Sequence, residues 1–418
     1  MNRLATQLAA LLAFMTCALL GGAVPASQAA EPIPAQRAVQ PSGAVLFAVV
    51  GPELSLYSLD IAAATLQKQS SVTLPQNVQY AWPHPSGKGL YVAWSDGAGG
   101  KSHGVSVVRV DSASKRLRTD GKPTLLRARP IHVTTDVPGA HLLAAYNSPP
   151  GVSVHRLDPD GNIGQEVEQP KSLNVGIYPH QIRVDPFNRM VILVARGNDP
   201  TGEKPEELGA VKVFGYSNGV LANRASIEEP HDFQPRHVDF HPSQPWIFLA
   251  LERQNRLQVY RKLPSGSLDA SPLYGMSTLA NPAGVVPQQR AAAIHVHPNG
   301  RFVYVSNRSS GPGPRTGENS IAVFSIHEKT GEPALLQTSD TRGMTPRTFA
   351  LDPSGRILVV ANQSAYSTGS GSDARTGAAG LAVFRIADNG QLEFVRKYDV
   401  ATPDPSKTLM WAGIVPAH

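Results

Sequence analysis

The chain has 418 residues, of which 41% are hydrophobic and 17% charged, with a formal net charge of +6. Its lysines and arginines are scattered, with no basic run and no regularly spaced stacking aromatics, which argues against a nucleic-acid binder. Glycine and proline punctuate the whole length and helical periodicity is nearly absent, so the chain reads as all-β.

Residues 1–30 read as a removable leader rather than part of the fold. Arg3 gives a positive start, Leu8 to Val24 is a nearly unbroken apolar run, and Ser27-Gln28-Ala29 offers small residues for cleavage. A membrane anchor is the competing reading, but the run is barely of spanning length and leads into a cleavage-like segment. The expectation is a periplasmic or secreted protein with no membrane span after processing. Cys17 lies inside the leader, so residues 31–418 can have no disulfide and no thiol chemistry.

The first strands after the leader are Val45 to Val50 and Leu54 to Tyr57. From there a unit recurs about every 55 residues, the spacing of a repeat architecture. Its clearest copies are Pro179 to Pro186, Pro235 to Pro242, Ala291 to Pro298 and Pro346 to Pro353, and its anchor prolines are 85, 138, 186, 242, 298 and 353. Each copy runs through a turn into an apolar strand, as in Met190 to Ala195, Trp246 to Leu251, Phe302 to Ser306 and Ile357 to Ala361. A third strand then follows. This is the pattern of a β-propeller blade. Six anchors give six blades. A seventh needs the strands of residues 45–57 plus an inner strand from Lys407 to Val415, which closes the ring and removes open sheet edges. The expectation is one seven-bladed β-propeller over residues 31–418, acting as a monomer. A β-sandwich pair would need neither the regular period nor the closing strand.

The repeat also places polar residues. Counting six back from each anchor gives Gln79, His132, His180, Arg236, Ala292 and Arg347, at the start of the innermost strand. Counting ten forward gives Ser95, Ser148, Arg196, Glu252, Arg308 and Gln363, at the end of the next. Adjacent strands run antiparallel, so the two sets should form rings around one channel mouth. Several arginines near one mouth fit an anionic ligand. Glu252 is the one acid among them, either a neutralising partner or a base. His84, His241 and His297 directly precede anchor prolines and read as turn residues. His295 and His297 share a strand face but have no third ligand, so no metal and no cofactor are expected.

The motifs around Pro235-Arg236-His237 with Glu252, Ser306-Asn307-Arg308, and Thr345-Pro346-Arg347 with Ala361-Asn362-Gln363 resemble the lactonase seven-bladed propeller family. That family includes propeller-type 6-phosphogluconolactonases and carboxy-cis,cis-muconate lactonizing enzymes. The resemblance implies active-site roles for His180, Arg236, Glu252 and Arg308. Arg347, Arg196, His237, Asn307 and Gln363 stand beside them as substrate-binding candidates. Ala195 to Asp199 and Leu251-Glu252-Arg253 depart from the family's pattern, which bears on the substrate more than on the reaction class. The resulting expectation is hydrolysis of a small, anionic sugar-type lactone by general acid–base catalysis, with Glu252 and His180 as base and acid in either order. The alternatives are a muconate-type cycloisomerase and a non-catalytic envelope propeller that binds protein or glycan. Three insertions, Gly197 to Leu208, Ser309 to Glu318 and Ser364 to Ala379, emerge at the same mouth, either as a partial lid or as variable surface loops.

Overall fold

A computed structural model describes residues 43–417 apart from 112, 230–231, 310–316, 369–374, 403 and 405. The expected leader lies outside the described residues. Seven four-stranded antiparallel sheets form the blades of a β-propeller. Blade 1 spans 44–73 together with 409–416, and blades 2 to 7 span 77–125, 130–166, 179–227, 235–277, 289–340 and 344–399. A short two-stranded ribbon, Tyr366–Thr368 with Arg375–Gly377, stands on blade 7.

The closing strand is Leu409–Pro416. It pairs antiparallel with Ala44–Val50 from Ala44 opposite Pro416 to Val50 opposite Leu409. Trp411 packs with Phe47 and Val49 of blade 1 and with Val78, Val92 and Trp94 of blade 2. Each blade therefore has neighbours on both faces, and this explains the unbroken apolar middle strands. In blade 4, Val191 and Leu193 pack toward blade 3, while Met190, Ile192 and Val194 pack toward blade 5. Period-two alternation sends successive side chains into two different cores, so every position is apolar.

The anchor turns are tied from blade to blade. Nε2 of His84, His241 and His297 lies 3.1, 3.0 and 2.8 Å from the carbonyl oxygen of Gly139, Gly300 and Gly355, each in the turn of the following blade. These glycines have φ of +71°, +74° and +73°. A Cβ on any of them would lie within 2.6 Å of the histidine ring. The histidines are structural clasps, as their place before the prolines suggests. Where Asp replaces His, its carboxylate accepts amides of its own turn: Asp185 those of Arg189 and Met190, Asp352 those of Arg356 and Ile357.

Candidate active site at one mouth of the channel

The innermost strand of each blade contains one unpaired extra residue near its start. Pairing slips between Val78 and Tyr80, Pro130 and His132, Pro179 and Gln181, Pro235 and His237, Ala291 and Ile294, and Pro346 and Thr348. In the closing strand it slips between Leu409 and Trp411. A β-bulge re-aims the side chain it frees. The freed residues are Gln79, Ile131, His180, Arg236, Arg347 and Met410, with the slip in blade 6 falling at Ala292–Ala293.

Blade 3 corrects the repeat count. The turn-capping acid there is Asp136, whose carboxylate accepts the amides of Ala140 and His141. Val137 thus occupies the anchor's place and Pro138 comes one residue late. The bulged residue is Ile131 rather than His132, and the second ring takes Asn147 rather than Ser148.

Glu252 is the centre of the mouth. Its side chain is 4% exposed. Oε1 pairs with Nη2 of Arg308 and lies 3.5 Å from Nε of Arg236, while Oε2 lies 3.4 Å from Nη1 of Arg196. Burial pushes the carboxyl pKa up, but Arg308, Arg236 and Arg196 outweigh it and hold the group at about 2. Glu252 is a permanent carboxylate here and has no proton to donate near neutrality. The cations exceed it. Burial, then Arg308 and Arg347, push the pKa of Arg236 well down. Arg347 is pushed down to about 10 by burial and then Arg308, and makes no hydrogen bond or ion pair among the described residues. Among the described residues, the buried Nε atoms of Arg196, Arg236 and Arg308 have no hydrogen-bond partner. One mouth thus holds four guanidiniums around a single central carboxylate, with Arg347 unmatched.

Below the arginines sit neutral imidazoles. His180 is buried, its Nδ1 without a hydrogen-bond partner among the described residues. Burial, then Arg236, Arg347 and Arg196, hold its pKa well below the ordinary histidine value. His237 lies 5.2 Å from it, ring to ring, and its Nε2 is 3.3 Å from Nη1 of Arg236. His237 reaches Tyr80 across the channel at 6.4 Å, and Tyr80 in turn contacts His132 at 4.1 Å and Trp411 at 5.9 Å. This aromatic layer floors the mouth.

His180, Arg196, Arg236, His237, Glu252, Arg308 and Arg347 therefore share one environment. Two candidates do not. Asn307 is fully buried and spent on structure: its Nδ2 donates to the carbonyl of Thr278 at 2.6 Å and to Oγ of Ser320 at 3.2 Å, and its Oδ1 accepts from Oγ1 of Thr278 at 2.6 Å. It precedes Arg308 on a strand, so it points the opposite way. Gln363 stands in the ring, but its amide bonds Thr408 at 3.0 Å, and among the described residues it makes no bond to the Glu252 cluster.

Sequence reasoning missed Asp199. Its Oδ1 accepts from Nη2 of Arg253 at 2.6 Å, Nε2 of Gln234 at 2.9 Å and Nη2 of Arg290 at 3.4 Å. Its Oδ2 accepts from Nη2 of Arg196 at 3.0 Å. Arg253 also reaches Glu206 and Asp232. Asn198 pairs with Glu207 across the neck of the 197–208 insertion. This insertion is a pinned rim rather than a loose lid. Its one legible signal was an acid three residues beyond Arg196. A cavity of about 1290 Å³ lies on the turn side between blades 1 and 2, bordered by Asp60, Lys88, Arg109 and Arg356. None of the candidate residues lines it.

The family model described as "Lactonase, 7-bladed beta-propeller" matches residues 50–369. A 6-phosphogluconolactonase of Bacillus subtilis is 26% identical over 310 residues, 73% of this chain and 83% of the relative. Another, of Pectobacterium carotovorum, is 29% identical over 306 residues, 72% and 82% of the two chains. Among solved structures, the periplasmic gluconolactonase PpgL of Pseudomonas aeruginosa aligns with a TM-score of 0.69 at 24% identity, covering 87% of this chain and 98% of that one. At that identity the likeness carries the fold alone.

Proposed function

The chain belongs to the lactonase seven-bladed β-propeller family, and from that premise we propose that it hydrolyses a small sugar-type lactone at the arginine mouth. The observation that supports this most is the neutral, buried His180, its Nδ1 without a hydrogen-bond partner among the described residues, beneath guanidiniums that outnumber their central carboxylate. Relatives named 6-phosphogluconolactonase point to the same reaction class.

In this reading His180 takes a proton from water as the water oxygen attacks the lactone carbonyl carbon. The negative charge that develops on the carbonyl oxygen faces Arg236 and Arg308, which Glu252 holds in place. Collapse breaks the ring C–O bond, and the imidazolium returns its proton to the leaving alkoxide, giving the open hydroxy acid. Glu252, fixed as an anion, orients and partly neutralises the arginines. Arg347, the unmatched guanidinium, binds a negative substituent on the substrate, and His237 with Tyr80 bounds the ring. We further propose, from residues 1–30, that the protein is exported.

The test is acid release in a pH-stat from neutral aldonolactones, carboxylated lactones, phosphorylated lactones and muconates. Turnover of a lactone above its spontaneous rate, lost in His180→Ala and Arg308→Ala, is the expected result. Arg347→Ala should raise KM for a carboxylated lactone by about 10- to 100-fold, since charge-assisted contacts contribute roughly 1.5–3 kcal/mol, and leave a neutral lactone unaffected. No turnover of any lactone, or conversion of a muconate instead, overturns the reading.

A further inference from the structure

The carboxylate of Asp199 receives four donors from three blades: guanidinium nitrogens of Arg196, Arg253 and Arg290 and the amide of Gln234, all within 3.4 Å. Three cations and an amide converging on one point are the donor set that receives a phosphate group. Here the point is taken by a side chain of the same protein. The nest adjoins the reactive centre, because Arg196 spans both, with one terminal nitrogen on Asp199 and the other on Glu252. It is also open, for the Asp199 side chain is 39% exposed while its partners Arg196 and Arg253 are 17% and 16%. The rim that carries Asp199 is braced independently of it. Asn198 and Glu207 pair across the neck, and Arg253 holds Glu206. Removing the carboxylate therefore leaves the loop anchored, with Arg196 still paired to Glu252 and Arg253 to Glu206 and Asp232.

We propose that Asp199 is a specificity-determining residue that fills, from within the chain, the site a substrate phosphate would occupy, so that the enzyme accepts lactones without a phosphate and rejects phosphorylated ones. The rejection has two parts. The three guanidiniums are already matched, and a phosphate dianion brought to the rim meets the exposed carboxylate as a like charge. The unmatched Arg347 then accounts for at most one negative charge on the substrate.

The substrate arm of this proposal rests on the lactonase reading, whereas binding of inorganic phosphate does not. Calorimetry with inorganic phosphate on the full-length protein and on Asp199→Ala should show binding to the variant at least about tenfold tighter than to the wild type, the gain expected from charge-assisted contacts becoming available. Asp199→Asn, which keeps the shape and loses the charge, should fall between them. It also supplies the comparison should the alanine variant fail to fold. In the same preparations the ratio of kcat/KM for a phosphorylated lactone to that for its unphosphorylated counterpart should rise by about tenfold or more. A purely structural role for Asp199 would lower both kcat/KM values together and leave the ratio and the phosphate affinity unchanged, which overturns the proposal. So does a wild type that prefers the phosphorylated lactone more than about tenfold. If neither protein turns over any lactone but phosphate binding is gained, the lactonase reading fails and the assignment of the nest stands.

Discussion

Replacing Glu252 by Gln tests the electrostatics of the mouth directly. The carboxyl is held at about 2, against 4.5 for an unperturbed glutamate. At about 1.4 kcal/mol per pKa unit, the site favours the charged form by roughly 3 kcal/mol. Glutamine keeps the shape but leaves Arg196, Arg236 and Arg308 without their common partner, and breaking a buried ion pair typically costs about 3–5 kcal/mol. At about 2.1 cal/mol/K of unfolding entropy per residue, a domain of this size should lose roughly 4–6 °C in melting temperature. The protein stays folded, because its cores lie between the blades and not in the channel. In the proposed reaction the same change loosens the guanidiniums that would face the oxyanion, so kcat should fall about 10²-fold, the scale of a 1 Å misplacement. The pH dependence has a definite sign. A depressed carboxyl pKa stabilises the fold above the unfolded value of 4.5, and this stability is lost as pH falls toward about 2. The gap in stability between wild type and Glu252→Gln should therefore narrow over that window. Thermal melts from neutral to acid pH and initial rates on one lactone give both readouts. A variant with unchanged melting temperature and turnover within about threefold of wild type, where a lost orienting group should cost about 10²-fold, would show that Glu252 neither organises the arginines nor serves the reaction.

The His180 pKa is held down by burial and then by Arg236 and Arg347, so the base form persists below the ordinary value of about 6.5. The pH profile of kcat/KM should show no acidic break near that value, and Arg347→Ala should move the break upward; a wild-type break at the ordinary value would remove His180 as the base. Deleting the closing strand Leu409–Pro416 exposes the edge of Ala44–Val50 and removes Trp411 from its core, so the truncated chain should melt lower and aggregate, and light scattering unchanged from wild type would contradict this. His241→Ala breaks the clasp to Gly300 and should cost about 1 kcal/mol in a urea titration without altering kcat; a loss of turnover at unchanged stability would mean that the histidine does more than tie two turns.

The propeller was legible because each blade repeats the same physical problem. A middle strand buried on both faces must be apolar throughout, and the turn before it demands Pro, Gly and a capping His or Asp. The closing strand was legible because the first blade lacked an inner strand that the tail could supply. The bulges were not, since a strand with one unpaired residue has the same composition as one without. That is why the count misplaced His132: in blade 3 the proline marks the turn one residue late, and only Asp136 shows where the turn begins. Asn307 stands apart from the arginines because the position before Arg308 faces the other side of its strand. Asp199 escaped notice because its partners lie on three blades, and no spacing along the chain brings Arg196, Arg253 and Arg290 to one point.

The bulged residues have one more consequence. A residue that takes no part in the pairing ladder can be exchanged without loosening the strands on either side of it. Gln79, Ile131, His180, Arg236, Arg347 and Met410, with the small pair Ala292–Ala293, thus act as sockets around one opening. In this chain three of them carry the titratable side chains, and the others are filled by amide or apolar groups. Such a scaffold can acquire a different chemistry by refitting a few sockets while its blades stay as they are. The sheets determine how long the molecule lasts, and the sockets determine what it works on.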